Sequence, residues 1–229
     1  LATVPTTRYG PPIEGGTSCF VAGTKISMAD GTLKNIEDVV VGEEVRGHNG
    51  NNTVIKLDWG LVGDRKLYTF NDSEHYFFTS EHPFMTTEGW KSVKPEKTKE
   101  RDGVELYEEL KGALEVGDKI ITGDGLFEIT KIKSKEINQP ELPLYNFHIS
   151  NDKSYIADNY VVHNKGCFIA GTQITMADGS TKAVEQIDLK DEVAVGGYVF
   201  ATGKFLVNNL YDYKGIQVSG SHMVKEDGW

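Results

Sequence analysis

A thirteen-residue phrase occurs twice in this chain of 229 residues, as CFVAGTKISMADG at residues 19–31 and as CFIAGTQITMADG at residues 167–179. Each of the two cysteines in the sequence opens one copy. A phrase that recurs this closely indicates one structural unit that begins twice. We therefore place the start of one domain at Cys19 and the start of a second at Cys167.

The residues that follow the first phrase predict an all-β domain of many short strands. Short runs rich in β-branched and aromatic residues alternate with turn signals such as Asp30-Gly31 and Asp124-Gly125. These runs are KISM, TVIKL, KLYTF, HYFFT, KIIT, FEITKI and SYIADNYVV. Residues 91–115 depart from this pattern because they are rich in lysine and glutamate. There we expect a short helix over residues 104–114 or a mobile excursion.

A weaker internal echo lies inside the first domain. VVVGEEVRGHNG at residues 39–50 resembles LEVGDKIITGDG at residues 114–125, and each leads into a β-rich run. A pseudo-twofold β domain would produce such an echo. Chance similarity between two hairpins is the alternative.

Composition excludes several classes of protein. The formal net charge of -10 argues against a nucleic-acid partner, which needs a basic face. No apolar run approaches the roughly 18 residues of a membrane span, so we expect no membrane partner. Two cysteines are too few for a disulfide framework. We expect a monomer without cofactor or metal, preceded by an extended flanking segment over residues 1–18, which is rich in Pro, Gly and Thr.

Four motifs in this order resemble the Hint superfamily, the hedgehog/intein autoprocessing domains. They are the CF-x-AGT-x-I phrase at Cys19, the run Thr79-Ser80-Glu81-His82-Pro83, the run LYNFHIS at 144–150, and SYIADNYVVHN at 154–164, which ends in His163-Asn164. The resemblance implies a pseudo-twofold, horseshoe-shaped β domain over residues 19–164 without a homing endonuclease. It also implies single-turnover self-processing, whose substrate is the domain's own flanking segments.

The first implied reaction breaks the Ser18–Cys19 bond. The thiol of Cys19 can attack the Ser18 carbonyl through a five-membered ring and form a thioester. The leaving nitrogen needs a proton, which is work suited to a histidine such as His82. Thr79 can hydrogen-bond the scissile amide and its developing oxyanion. Taken without the other motifs, Cys19 fits a small buried hydrophobe better than a nucleophile. The corresponding alternatives are a structural histidine for His82 and an ordinary strand threonine for Thr79.

The second implied reaction breaks the Asn164–Lys165 bond. The side-chain amide of Asn164 can attack its own backbone carbonyl and form a succinimide. His163 can polarise that carbonyl or protonate the leaving amine. A polar loop at the end of a domain is the alternative explanation of this pair.

Three positions depart from the intein pattern. Lys165 follows Asn164 where a standard intein has Cys, Ser or Thr, a pattern similar to that of bacterial intein-like domains. Lys153 replaces a histidine that can donate a proton during asparagine cyclisation. Asn146 replaces an aspartate that is a candidate base for Cys19. His148 is expected to act only in support, and we expect these changes to affect rates more than the fold.

The second copy is predicted to be a truncated Hint domain within the flanking region 165–229. It begins at Cys167, and its candidate second block carries Ser219 and His222. The sequence has no second His-Asn pair after this block. The thiol of Cys167 is a candidate relay that takes the acyl group from Cys19 and passes it to the amine of Lys165.

Two other classes of function remain open from the sequence. One is a Cys-His hydrolase that acts on other molecules, which would need an open substrate groove. The other is a non-catalytic β module for binding, or for holding a metal with Cys19, His82 and His163. Self-cleavage of the purified protein would distinguish autoprocessing from both.

Overall fold

The computed structural model describes residues 17–150, 153–164, 173–194, 197–199, 202, 211–213 and 216–218. Within these residues, no helix has the length and apolar character needed to cross a membrane. Four candidate residues lie outside the described residues: Lys165, Cys167, Ser219 and His222. Residues 1–16 of the predicted flanking segment 1–18 also lie outside them.

The first domain consists mainly of short strands, as the sequence predicts, together with two short helices. The elements are β1 (Phe20–Val21), β2 (Lys25–Ser27), β3 (Leu33–Asn35), β4 (Glu44–Arg46), β5 (Asn51–Leu61), β6 (Lys66–Phe70), β7 (Phe78–Thr79), β8 (Phe84–Thr86), β9 (Gly89–Lys91), α1 (Pro95–Asp102), α2 (Val104–Glu109), β10 (Lys119–Ile121), β11 (Leu126–Glu128), β12 (Ile132–Glu136), β13 (Pro143–Ile149), β14 (Ser154–Ala157) and β15 (Tyr160–His163).

These strands form two antiparallel sheets. The first has the order β12-β6-β7-β1-β13-β5-β4, and the second has the order β11-β10-β8-β15-β14-β2-β3, with β9 paired on β8. Strand β13 lies between β5 and β1. Its register with β1 places Tyr145 opposite Phe20. Asn146 and Cys19, which adjoin this pair, therefore lie beside each other. The sheet topology thus places Asn146 next to the start of the first domain.

An aromatic core fills the space between the strands. Burying aromatic side chains supplies a large part of the hydrophobic stabilisation of a domain, and tilted or edge-to-face contacts between rings add to it. Phe78, for example, lies 4.7 Å from Phe84 and 4.9 Å from Phe70 between ring centroids. The fully buried aromatic residues of this core are Phe20, Phe70, Phe78, Phe84, Phe147 and Tyr155.

The weak internal echo corresponds to a real structural repeat. Gly42 and Gly117, which share the VG step of the two runs, have φ angles of +93° and +100°. Each donates its N–H to the carbonyl of the residue twelve positions later, Val54 at 2.8 Å and Ile129 at 2.7 Å. Because both turns need a positive φ, glycine is favoured at each. The two matching turns therefore favour the pseudo-twofold arrangement and not a chance similarity between two hairpins.

The charged segment 91–115 contains the two helices. Helix α1 begins at Pro95 and ends at Asp102, whereas α2 begins at Val104 and ends at Glu109. The sequence predicts one short helix over residues 104–114, which α2 fulfils in part; α1 was not predicted. Proline at the first position of α1 is a favourable helix start, and Gly103, with φ +102°, separates the two helices.

The described part of the second copy repeats the local structure of the first. Its elements are β16 (Gln173–Thr175), β17 (Thr181–Ala183), β18 (Glu192–Val193), β19 (Gly197–Tyr198), β20 (Tyr211–Tyr213) and β21 (Ile216–Val218). Strand β16 pairs with β17 as β2 pairs with β3. Met176 forms a bridge with Val193, as Met28 does with Val45.

Candidate active site

The Ser18–Cys19 peptide bond is held on both of its polar atoms. Asn146 Nδ2 donates to the Ser18 carbonyl oxygen at 2.7 Å. The Cys19 N–H donates to Thr79 Oγ1 at 3.1 Å. Thr79 occupies this place because β7 pairs with β1 through Phe78 and Phe20. A donor on the carbonyl oxygen is positioned to stabilise negative charge that develops there.

The orientation of the Asn146 amide follows from its own hydrogen bonds. Its Oδ1 accepts from the Phe147 N–H and from the Tyr155 hydroxyl, each at 2.8 Å. With both donors on the oxygen, the NH₂ group must point toward Ser18. Asn146 is therefore placed as a donor to the Ser18 carbonyl oxygen, a position that the sequence did not suggest. Tyr155 fixes that role, and it was not predicted either.

The Cys19 thiol lies in a small apolar cluster. Cys19 is 1% exposed and packs with Val62, Leu67 and Leu144. Burial raises the pKa of the Cys19 thiol to about 12, and the nearby Arg65 only partly opposes this effect. A thiolate is the nucleophilic form, and a pKa raised this far favours the protonated thiol at neutral pH, so attack by Cys19 would need a base.

The residues before Cys19 are held by charged groups. Arg65 donates through Nη1 to the Thr17 carbonyl at 2.8 Å and to Glu81 Oε1 at 2.9 Å. The Ser18 N–H points at both carboxylate oxygens of Asp102, each at 3.3 Å. The Arg65–Glu81 pair is buried, with side chains 7% and 1% exposed, so it provides a fixed anchor for the flanking chain.

His82 is a fully buried histidine whose ring nitrogens have no hydrogen-bond partner among the described residues. Its ring packs 4.2 Å from Phe20, next to the Cys19 junction. Burial, with a smaller contribution from His163, lowers the pKa of His82 to about 3. An unpaired buried polar group is costly and needs an explanation, and a place in a proton-transfer site supplies one.

Asn164 is buried and held at two points by β13. Its Nδ2 donates to the Phe147 carbonyl, and its Oδ1 accepts from the Ile149 N–H at 3.2 Å. The Asn164 backbone N–H donates to the Lys153 carbonyl at 2.7 Å. These contacts restrict the side-chain rotamers, so less conformational freedom remains to be lost when the amide attacks.

His163 belongs to a charged network. His163 Nε2 lies 3.1 Å from Glu109 Oε2, and Lys153 Nζ donates to Glu109 Oε1 at 2.7 Å. The Trp90 ring packs edge-on against the imidazole at 4.7 Å. Burial lowers the pKa of His163, whereas Glu109 and Asp102 act to raise it. Burial also works to raise the pKa of Glu109, but His163 and Lys153 outweigh it and bring that pKa down to about 2.

The two junctions are adjacent because the same elements contact both. Asn146 and Phe147 are consecutive residues of β13: the side chain of the first binds Ser18 and the carbonyl of the second binds Asn164. Strand β7 contributes Thr79 to the first junction, and in the turn that follows it the Pro83 carbonyl accepts the His163 N–H at 3.1 Å. One compact site thus contains both candidate cleavage points.

Comparisons with known proteins bear on the fold that carries this site. Residues 19–85 match the family model described as Hom_end-associated Hint. The chain is similar to the solution structure of a bacterial intein-like domain from Clostridium thermocellum, at 24% identity and a TM-score of 0.50, over 65% of this chain and 100% of that chain. The chain therefore has the fold of Hint domains, and residues 19–85 match a Hint family model.

Two further structures resemble the Hint domain. The gp41-1 intein has 20% identity and a TM-score of 0.48, with 65% of this chain and 100% of that chain covered. A DnaB intein from Synechocystis has 15% identity and a TM-score of 0.48, with 65% of this chain and 99% of that chain covered. None of the curated proteins matches the chain in sequence.

The other candidates of the Hint domain are placed as follows. His148 pairs with Asp58, Nε2 to Oδ2, at 2.6 Å. Among the described residues, no group of three or more His, Cys, Asp and Glu side chains is arranged to hold a metal ion, so the metal alternative gains no support. Asp102 and Glu109 were missed because the charged segment 91–115 carries no motif.

Proposed function

We propose that this chain processes itself by breaking the peptide bonds Ser18–Cys19 and Asn164–Lys165, each once. The proposal rests mainly on the Ser18–Cys19 bond, whose carbonyl is bound by Asn146 and whose N–H is bound by Thr79. The match of residues 19–85 to a Hint family model supports self-processing in general. The substrate is then the chain's own flanking segments.

At the first junction, the Cys19 sulfur attacks the Ser18 carbonyl carbon. A C–S bond forms, the C–N bond breaks, and the thiol proton moves to the nitrogen that becomes the Cys19 amine. Asn146 stabilises the oxyanion, and Thr79 holds the nitrogen. His82 is the group best placed to carry the proton, because its neutral imidazole packs on the residue next to Cys19.

At the second junction, Asn164 Nδ2 attacks the Asn164 carbonyl carbon. The new C–N bond closes a succinimide, the bond to Lys165 breaks, and a proton from Nδ2 ends on the Lys165 amine. His163 supplies a proton to that leaving amine.

Joining of the flanks would follow if the freed Lys165 amine attacks the Ser18 thioester, which forms a peptide bond and releases the Cys19 thiol. Alternatively, the Cys167 thiol takes the acyl group first. Both residues lie outside the described part of the chain, so the test is chemical. Cys167→Ala should leave ligation unchanged for direct aminolysis and abolish it for a relay.

A hydrolase acting on other molecules fits less well. Cys19 is 1% exposed, and the carbonyl beside its thiol belongs to its own chain. A substrate from outside would have to displace Ser18 from Asn146.

Intact mass measured before and after excess dithiothreitol tests the proposal. We expect release of residues 1–18 and a separate fragment that begins at Lys165. Cys19→Ala should abolish only the first product, and Asn164→Ala only the second. If the first product persists in Cys19→Ala, or the second in Asn164→Ala at the wild-type rate, cleavage is adventitious proteolysis. If the wild-type protein yields neither, the proposed function is wrong.

A further inference from the structure

Helix α2 carries a carboxylate into the second junction from a segment with no sequence motif. Glu109, its last residue, contacts two groups from distant parts of the chain, Lys153 at 2.7 Å and His163 at 3.1 Å. The Glu109 side chain is 18% exposed, and that of His163 is 3% exposed. The contact is therefore shielded from water, where a charged hydrogen bond has more effect than at the surface.

Glu109 also selects the proton position on His163. An ionised carboxylate only accepts hydrogen bonds, so Nε2 must carry the proton in this contact. The other nitrogen, Nδ1, is buried and has no hydrogen-bond partner among the described residues. Nδ1 is thus the atom left to exchange a proton at the junction. Holding one imidazole nitrogen so that the other can act is the part of the third group in a catalytic triad.

We propose that Glu109 is a positioning residue for the cleavage after Asn164: it holds His163 with Nε2 protonated and stabilises the imidazolium form that donates from Nδ1. Lys153 orients Glu109 by binding its second oxygen. The inference rests on the proposed function, because it assigns a role within the second of the two reactions.

The charged surroundings of His163 come from several elements. Glu109 lies on α2, Asp102 ends α1, Lys153 precedes β14, and His82 follows β7. Glu109 and Asp102 favour the charged imidazolium, whereas Lys153 opposes it. His82 is neutral over the working range because burial lowers its pKa to about 3. Loss of the Glu109 charge should therefore disfavour the protonated form of His163.

The test compares Glu109→Gln with the exposed neighbour Glu108→Gln as a matched control. We expect Glu109→Gln to slow formation of the Lys165 fragment at pH 7 by about 10- to 100-fold, the size expected for one charged hydrogen bond. Its rate-against-pH profile should move to lower pH, because His163 then needs more acid to become protonated. Dithiothreitol-induced release of residues 1–18 should stay within about twofold of wild type, and Glu108→Gln should match wild type in both reactions.

Unchanged rate and pH profile in Glu109→Gln, beside active wild type, would overturn the role of Glu109 and leave the proposed function intact. A wild type without cleavage would instead refute the proposed function. If Glu109→Gln does not fold, ¹⁵N NMR of the His163 ring in the Asn164→Ala protein, which cannot be cleaved at the second junction, decides. A proton on Nε2 supports the proposal, and a proton on Nδ1 overturns it.

Discussion

The two junctions of the domain are prepared for reaction in different ways. At the first, the scissile bond is bound by neutral donors and acceptors from Asn146 and Thr79, while the nucleophile, Cys19, is a protonated thiol in an apolar cluster. At the second, the nucleophilic amide of Asn164 is bound at both ends, and ion pairs surround the adjacent His163.

The proton transfer that each proposed reaction still requires therefore differs between the two junctions. The first junction has its oxyanion donor in place but needs a proton removed from sulfur. The second needs a proton delivered to a leaving nitrogen, and a carboxylate favours the group that delivers it. The two reactions should therefore respond oppositely to pH and to different substitutions.

Replacing His82 should have the largest effect on the difference in rate between the two cleavage reactions. His82→Leu introduces an apolar side chain of similar size and removes the proton carrier, so dithiothreitol-induced release of residues 1–18 should slow about 10²–10⁴-fold. Cleavage after Asn164 should stay within about tenfold, measured on the same samples by intact mass. An equal loss at both junctions would show that His82 is structural.

Asn146→Leu removes the donor on the Ser18 carbonyl. We expect the first reaction to slow by about 10²–10³-fold, as for loss of one oxyanion donor. The second reaction should be nearly unchanged, because Asn164 binds the backbone of β13 rather than the Asn146 side chain. Thr79→Ala should show a smaller loss in the same direction. Normal N-terminal release in Asn146→Leu would remove Asn146 from the reaction.

The pH dependence should differ in sign between the junctions. Because the pKa of Cys19 is raised to about 12, its thiolate fraction should rise about tenfold per pH unit between pH 7 and 9 without a plateau. Release of residues 1–18 should follow this rise when hydroxylamine, whose amine is already neutral, is the external nucleophile.

Cleavage after Asn164 should fall over the same range, because burial lowers the pKa of His163 and its already small protonated fraction shrinks further with each pH unit. A plateau near pH 8.5 in the first reaction would indicate an ordinary, unburied thiol. A parallel rise of both reactions would contradict the proposed role of His163.

Tyr155→Phe should slow the reaction at the first junction, although Tyr155 does not itself contact the scissile bond. Loss of its hydrogen bond to Asn146 Oδ1 frees the amide to rotate, and we expect about a tenfold slower first reaction, the size of one neutral hydrogen bond. The Asn164 reaction is the internal control. A change as large as that of Asn146→Leu would assign Tyr155 a direct part in the chemistry.

Buried histidines should also give the fold an acid-sensitive stability. The pKa of His82 is near 6.5 when unfolded and about 3 when folded, so the unfolded state binds the extra proton as pH falls below 6.5. From pH 6.5 to 5.5 His82 should account for a loss of about 1 kcal/mol in the free energy of unfolding.

Urea denaturation of the Cys19→Ala, Asn164→Ala protein measures this loss. His82→Leu should reduce it, whereas replacement of the exposed His48 by glutamine should not. A His82→Leu protein with an unchanged pH dependence would contradict the assignment.

Much of the candidate site was recognisable from sequence, because its motifs are local. Thr79 and His82 belong to one short turn, and His163-Asn164 ends one strand. The residues that the sequence missed act through distant contacts: Tyr155 on Asn146, Asp102 on Ser18, and Glu109 on His163. Periodicity and turn signals report on neighbours along the chain, so they carry no information on such pairs.

The two copies of the repeated phrase separate what the sequence alone determined from what the tertiary structure decided. Met28 N–H bonds to the Thr32 carbonyl at 2.9 Å, and Met176 N–H bonds to the Ser180 carbonyl at 2.8 Å. In each copy an aspartate, Asp30 or Asp178, also accepts a hydrogen bond through Oδ1 from the backbone N–H two residues later. Local turn chemistry is sufficient for this hairpin.

Burial of the hairpin is not a local property. Ile26 is fully buried, whereas Ile174, its counterpart, is only half-buried. Ile26 lies opposite Ala157 on β14, a strand that occurs 131 residues later in the chain. A hydrophobic side chain leaves water only when another element covers it. The sequence therefore determined where each hairpin forms, and the tertiary structure decided which hairpin joined a core and a reactive site.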